Sequence, residues 1–151
     1  MMDMINKMHK QRLVIIIAAA IGVISAFLPW ASIDGGFLGR VSVNGIQGDG
    51  LITFLAFIAA GVLAFLGDQK QPITTDAKFK WGIVGTGALA ALIAVIAMIN
   101  VSGVPFTSVG FGVYLSILAG AVIVAIPFLD PKMLDSLPIG ADSSADDNPA
   151  E

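Results

Sequence analysis

The chain has 151 residues, of which 56% are hydrophobic and only 13% charged, with a mean hydropathy of +0.89. An average soluble domain carries about 25% charge, so the composition is that of a membrane protein. The absence of cysteine excludes a disulfide framework, a thiolate metal site and a cysteine nucleophile. The net charge of −3 is uneven: residues 130–151 hold six acids against Lys132, a local −5, and the rest of the chain is +2. Phosphates repel such an acidic tail, which argues against a nucleic-acid partner.

In chain order, the opening places Met1, Met4, Ile5 and Met8 at helical spacing, as an interfacial lead into the first apolar run. His9 stands alone, and a single histidine without a second candidate ligand reads as a solvated residue. Residues 1–12 are expected on the cytoplasmic side. Four runs then lack Asp, Glu, Lys, Arg and His: 13–30, 51–67 (Leu51 to Leu66 lengthened by Gly67, with Gly50 before it), 81–99 and 111–129. At 1.5 Å per residue such runs reach roughly 24–28 Å, close to the hydrocarbon thickness of a bilayer. The expectation is an all-α membrane protein, a four-transmembrane-helix bundle with a short extracytoplasmic β-hairpin between helices 1 and 2. The basic start of the first run resembles a signal peptide, but Leu28-Pro29-Trp30 offers no small residues for cleavage, so that run is expected to be retained.

Orientation follows from the basic residues. Lys7, Lys10, Arg12, Lys70, Lys78, Lys80 and Lys132 fall on one side of the expected spans and only Arg40 on the other. The positive-inside rule then places both termini and the 68–80 connection in the cytoplasm. Trp30 and Trp81 fall at run ends, where indoles sit at headgroup level. Small residues recur every four positions at Ala18, Gly22 and Ala26, at Ala56, Ala60 and Ala64, and at Gly112, Ser116 and Gly120. Gly82, Gly85, Thr86 and Gly87 crowd the third run. Such faces let helices approach closely within one bundle, or between copies in a homo-oligomer.

Residues 31–50 form the outer loop. Ala31-Ser32-Ile33 and Val41-Ser42-Val43 alternate as half-exposed strands do. Gly35, Gly36 and Gly39 supply one turn between them, and Asn44-Gly45 is a second hairpin signal, which leaves the register open. An isolated two-stranded hairpin is marginal in water and must lean on the helices or on a partner. Asp49 suits the N-cap of the second helix. The 68–80 connection, broken by Pro72, reads as a mobile cytoplasmic link. The uncharged loop from Asn100 to Gly110 is expected to pack on the hairpin or on the bilayer surface. Asn100-Val101-Ser102 matches a glycosylation sequon, which matters only in a secretory pathway. Past Pro127 and Pro131 the acidic tail, residues 130–151, cannot bury enough apolar surface to order itself.

Two stretches align at an offset of 62. Gly48-Asp49-Gly50 matches Gly110-Phe111-Gly112, Asp68 matches Asp130, and Ala59 and Val62 match Ala121 and Val124. This is the frame of a parallel repeat of two helical hairpins, or of convergent span ends. The Gly-x-Gly triplets lack the third glycine and the context of a nucleotide fingerprint.

No ionisable residue lies within a run, which argues against proton relays and coupled transport. Asp34, Arg40 and Asp49 are the only outer charges, a poor set for acid–base work or for calcium. Neither enzymatic activity nor a cofactor is expected. The layout of four spans, cytoplasmic termini and a β-prone loop opening at Trp30 is distantly similar to claudin-like tetraspans, without their Gly-Leu-Trp or loop cysteines. Leu28-Pro29-Trp30, the run from Val43 to Gly50 and Val109-Gly110-Phe111-Gly112-Val113-Tyr114-Leu115 resemble small four-span bacterial membrane proteins that carry no assigned activity.

The expected function is that of a non-enzymatic prokaryotic plasma-membrane protein whose outer loops contact a membrane or envelope protein. It would serve as an accessory subunit or as an immunity or exclusion factor. The contact residues are expected to be Trp30, Ile33, Phe37, Leu38, Arg40, Val104 and Phe106, for which simple loop packing is the plain alternative. A homo-oligomeric pore or passive channel is the second reading, although no polar stripe marks a lumen.

Overall fold

The computed structural model describes residues 9–66 and 76–129. The expectations for the methionine-bearing opening, for most of the 68–80 connection and for the acidic tail fall outside them.

Four helices and a three-stranded antiparallel sheet make up the described chain. In order they are α1 (Lys10–Ser25), β1 (Pro29–Asp34), β2 (Arg40–Asn44), α2 (Gly50–Phe65), α3 (Ala77–Ser102), β3 (Thr107–Val109) and α4 (Phe111–Ala125). Short 3₁₀ turns occupy Gly36–Leu38, Gly45–Gln47 and Ile126–Phe128. Helix α1 packs on α2 and α4, and α3 packs on the same two. The sheet, in the order β2-β1-β3, caps one end.

This overturns the expected four-span, all-α architecture. Among the described residues, only α3 and the continuous segment Phe111–Phe128 are long and apolar enough to cross a membrane. Helices α1 and α2 have 16 residues each, about 24 Å, against a hydrocarbon core near 30 Å. The hairpin, moreover, is part of a sheet that recruits a third strand. In the apolar windows of α3 and of Phe111–Phe128 only 28% and 44% of residues are buried, so most of their surface faces outside the protein's own core. These two helices point to membrane association.

The first run fails as a span because it holds two kinds of structure. The Ser25 hydroxyl bonds back to the Gly22 carbonyl at 2.6 Å. Ala26, Phe27 and Leu28 then turn with i→i−3 bonds, and Pro29 opens β1. Proline removes a donor and pushes Leu28 out of helical space, so the helix cannot continue to Trp30. At its other end the helix starts three residues earlier than the apolar run, at Lys10. His9, expected to be solvated, is a half-buried N-cap whose Nδ1 accepts the Gln11 amide at 3.2 Å. Arg12, expected as a cytoplasmic flank, is 2% exposed. Its guanidinium donates to the carbonyls of Ala64, at 2.9 Å, and Leu66. It thereby satisfies the orphan acceptors at the C-terminus of α2 and complements the negative end of that helix.

The start of α2 also differs from expectation. Asp49 is helical in conformation and makes no side-chain cap bond. The cap lies one turn earlier, where Asn44 and Gln47 close a reciprocal capping box around the Gly45–Gln47 turn. Asn44-Gly45 is therefore a helical entry, not a hairpin turn. The hairpin closes through Gly35 to Gly39, with Gly36 and Gly39 at φ +57° and +89°.

The small-residue faces are consumed inside the chain. Gly22 takes the flat ring of Phe57, while Gly87 and Gly120 let α3 and α4 approach backbone to backbone. Every member of the spaced sets on α1, α2 and α4 is buried. Among the described residues the core holds three buried hydroxyls. Ser25 and Ser116 bond to each other at 2.6 Å, and Thr53 has no partner. An unpaired buried hydroxyl costs about 1–3 kcal/mol. Replacing Thr53 by valine, which keeps the branched shape, should therefore raise stability by about 1 kcal/mol in a reversible detergent unfolding titration. A destabilised variant would show that the hydroxyl has a partner.

Candidate functional site: the sheet end of the bundle

The sheet end is built by register. Ala31, Ser32, Ile33 and Asp34 of β1 face Val43, Ser42, Val41 and Arg40 of β2. On the other side Ala31, Ser32 and Ile33 face Val109, Ser108 and Thr107 of β3. Residues opposite one another share a face, so Ser42, Ser32 and Ser108 form one row across all three strands. The Ser32 and Ser42 hydroxyls stand 3.0 Å apart. At the tip, Arg40 pairs with Asp34 at 3.5 Å, both well exposed.

Three apolar side chains project from this end almost bare: Phe37 at 99%, Leu38 at 84% and Phe106 at 82% exposure. Ile33 and Val104 are exposed beside them. Phe106 adopts φ +63°, the only positive φ of a non-glycine residue among the described residues. A left-handed conformation costs an L-residue roughly 1–2 kcal/mol. It is held there from both sides: the Asp34 amide donates to the Phe106 carbonyl at 2.8 Å, and the Thr107 hydroxyl lies 2.6 Å from the Val101 carbonyl. An open cleft of about 780 Å³ runs between Phe106 and the hairpin, floored by Asp34, Gly35, Gly36, Arg40, Thr107 and Ser108.

Six of the seven expected contact residues therefore meet at one exposed end. Trp30 does not. It is 5% exposed, packs with Ala94, Ala97 and Val113, and donates its indole N–H to the Ser25 carbonyl at 2.9 Å. Its indole is buried in the protein and is not presented at the surface as a contact. Its ring lies against Gly45 and Gly112, where any Cβ would collide with it. Gly112 belongs to the Gly-x-Gly triplet that opens α4, so that glycine serves close approach to Trp30. Sequence reading missed β3 altogether; its alternation is only three residues long. The serine row was equally invisible, because it depends on register.

At the opposite end, Lys80 lies 4.9 Å from the ring of Phe128 and 5.6 Å from that of Trp81. Trp81 and Phe128 meet edge to face at 6.3 Å. Lys10, Arg12, Lys78 and Lys80 share this end with Asp76 as its one acid among the described residues. Among those residues no group of three His, Cys, Asp or Glu side chains is placed to hold a metal ion. A second concavity, about 390 Å³ between α1 and α2, is lined by apolar residues such as Ile16, Val23, Phe57 and Val62.

No protein-family model, curated protein or solved structure matches the chain.

Proposed function

We propose that this chain is a non-enzymatic integral membrane protein that presents its sheet end to a membrane or envelope protein. In this reading α3 and α4 cross the plasma membrane as an antiparallel pair. The basic end, with both termini, lies in the cytoplasm and the sheet lies outside. The distribution of charge supports that orientation. Among the described residues Lys10, Lys78 and Lys80 lie at one end and Arg40 alone at the other, with Asp34 and Asp49. The Trp81–Phe128–Lys80 cluster has the composition of an interfacial anchor.

The observation that carries the reading is the bare tip. Lipid accounts for exposed apolar residues along α3 and α4, but Phe37, Leu38 and Phe106 stand beyond the helix ends. Aromatic anchors ringed by polar groups are how interfaces concentrate binding energy. The left-handed backbone at Phe106, held by two neighbouring segments, is strain of the kind that persists at functional positions.

Combined alanine substitution at Phe37, Leu38 and Arg40 is expected to reduce capture of the partner from native membranes by tenfold or more, at hot-spot energies near 2 kcal/mol. Thermal unfolding of the purified protein should be unchanged, because none of the three is buried. Undiminished capture would remove the tip from the site.

A further inference from the structure

We propose that the partner of the sheet end is a second copy of this chain, joined edge to edge through β2 in an antiparallel pairing centred on Ser42. This names the partner within the reading above and rests on it. β2 is an outer strand with β1 as its strand neighbour, and all its residues are exposed except the half-exposed Val43. The opposite edge, β3, is only three residues long and lies against α3. Soluble edges are commonly guarded by lysine, proline or a bulge. β2 carries one charge, Arg40 at its start; Val41-Ser42-Val43 has none of these guards, and the irregularity of the β1–β2 pairing lies on β1, between Pro29 and Ala31.

The strand is complementary to itself. Rotation by 180° about an axis through Ser42 sets Val41 opposite Val43, Ser42 opposite its own copy, and Arg40 opposite Asn44. Apolar positions meet apolar positions and no like charges face each other. The row Ser108-Ser32-Ser42 continues into the second sheet as six serines in line. Carried past the strand end, the same register brings the exposed Leu38 towards Ile46, so the bare tip finds cover at the other copy's base. β2 runs from the tip back to the helix ends, where the Ile46 amide donates to the Ala26 carbonyl. The second copy therefore approaches in the reverse sense, tip beside base, and the two bundles stand head to head. This arrangement fits copies held in two opposed bilayers.

The chain contains no cysteine, so single cysteines report the pairing without background. Directly opposed antiparallel residues have Cα atoms about 4.5–5.5 Å apart, within disulfide range. Full-length Ser42→Cys protein in liposomes should oxidise mainly to a covalent dimer. Arg40→Cys or Asn44→Cys alone, displaced by four residues or roughly 13 Å along the strand, should give traces. A mixture of those two should restore the dimer. Dimers should form between two separately tagged liposome populations, and Val41→Lys in the Ser42→Cys background should reduce them severalfold without altering thermal unfolding.

Absence of the Ser42 dimer, equal oxidation at positions 40, 42 and 44, or dimers confined to one liposome population would each overturn the proposal. Crosslinking from Phe37→Cys in native membranes separates this failure from that of the broader reading. Capture of a different protein leaves the sheet end as a contact surface and removes only the second copy. Failure of both removes the contact surface as well.

Discussion

Arg12→Ala is expected to lower the unfolding free energy by about 3 kcal/mol, the largest loss from any single charged residue of the described chain. The guanidinium bonds two carbonyls at the end of α2 from a position that is 2% exposed. Charge-assisted bonds are worth about 1.5–3 kcal/mol each, and the truncated variant also leaves the buried Ala64 carbonyl without this donor, while that of the exposed Leu66 can turn to water. Arg12→Lys should recover roughly half the loss: the ammonium keeps the charge beside the negative helix end but lacks the planar fork. Denaturant titrations in mixed micelles would measure both. A loss below about 1 kcal/mol for alanine would mean that the α2 carbonyls find other donors.

Arg12 also shows how the sequence misleads. A basic residue just before an apolar run looks like a cytoplasmic flank, and nothing in the one-dimensional pattern says that it lies under the end of another helix 52 residues away. The helices themselves were legible as charge-free runs, and the small-residue spacing correctly marked the faces buried between them. What the runs could not show was where helix ended and strand began. Residues 13–30 carry no charge and one hydroxyl, at Ser25, and a stretch so nearly apolar has no periodicity that separates strand from helix. Pro29 was the signal for the break. The hairpin was legible from its alternation and its turn from Gly35, Gly36 and Gly39. The third strand and the capping box at Asn44 were not, since one is three residues long and the other uses a dipeptide that also signals a hairpin. Phe37, Leu38 and Phe106 were expected as contacts with loop packing as the alternative, and they stand exposed. Trp30, at the end of the first run, is buried instead, because Gly45 and Gly112 leave its ring a slot.

That slot makes a second, sharper prediction. Trp30→Ala should cost about 3–5 kcal/mol, the usual range for emptying a large aromatic site, with the lost indole bond to Ser25 included. Gly45→Ala should be costly for the opposite reason. Its new Cβ would lie 2.5 Å from Trp30 Nε1 and 2.6 Å from Cε2, a collision with the rigid part of the ring. Overpacking of this kind costs about 1–3 kcal/mol. All three nearest atoms to that Cβ belong to Trp30, so the two penalties have one origin and cannot be independent. In the Trp30→Ala background the added methyl enters vacated space, and Gly45→Ala should become neutral or mildly stabilising. The double-mutant cycle then closes with a coupling of at least 1 kcal/mol, the size expected for residues in direct contact. Additive penalties would show that the glycine is required by its own backbone, and that Trp30 enters the core by some other route.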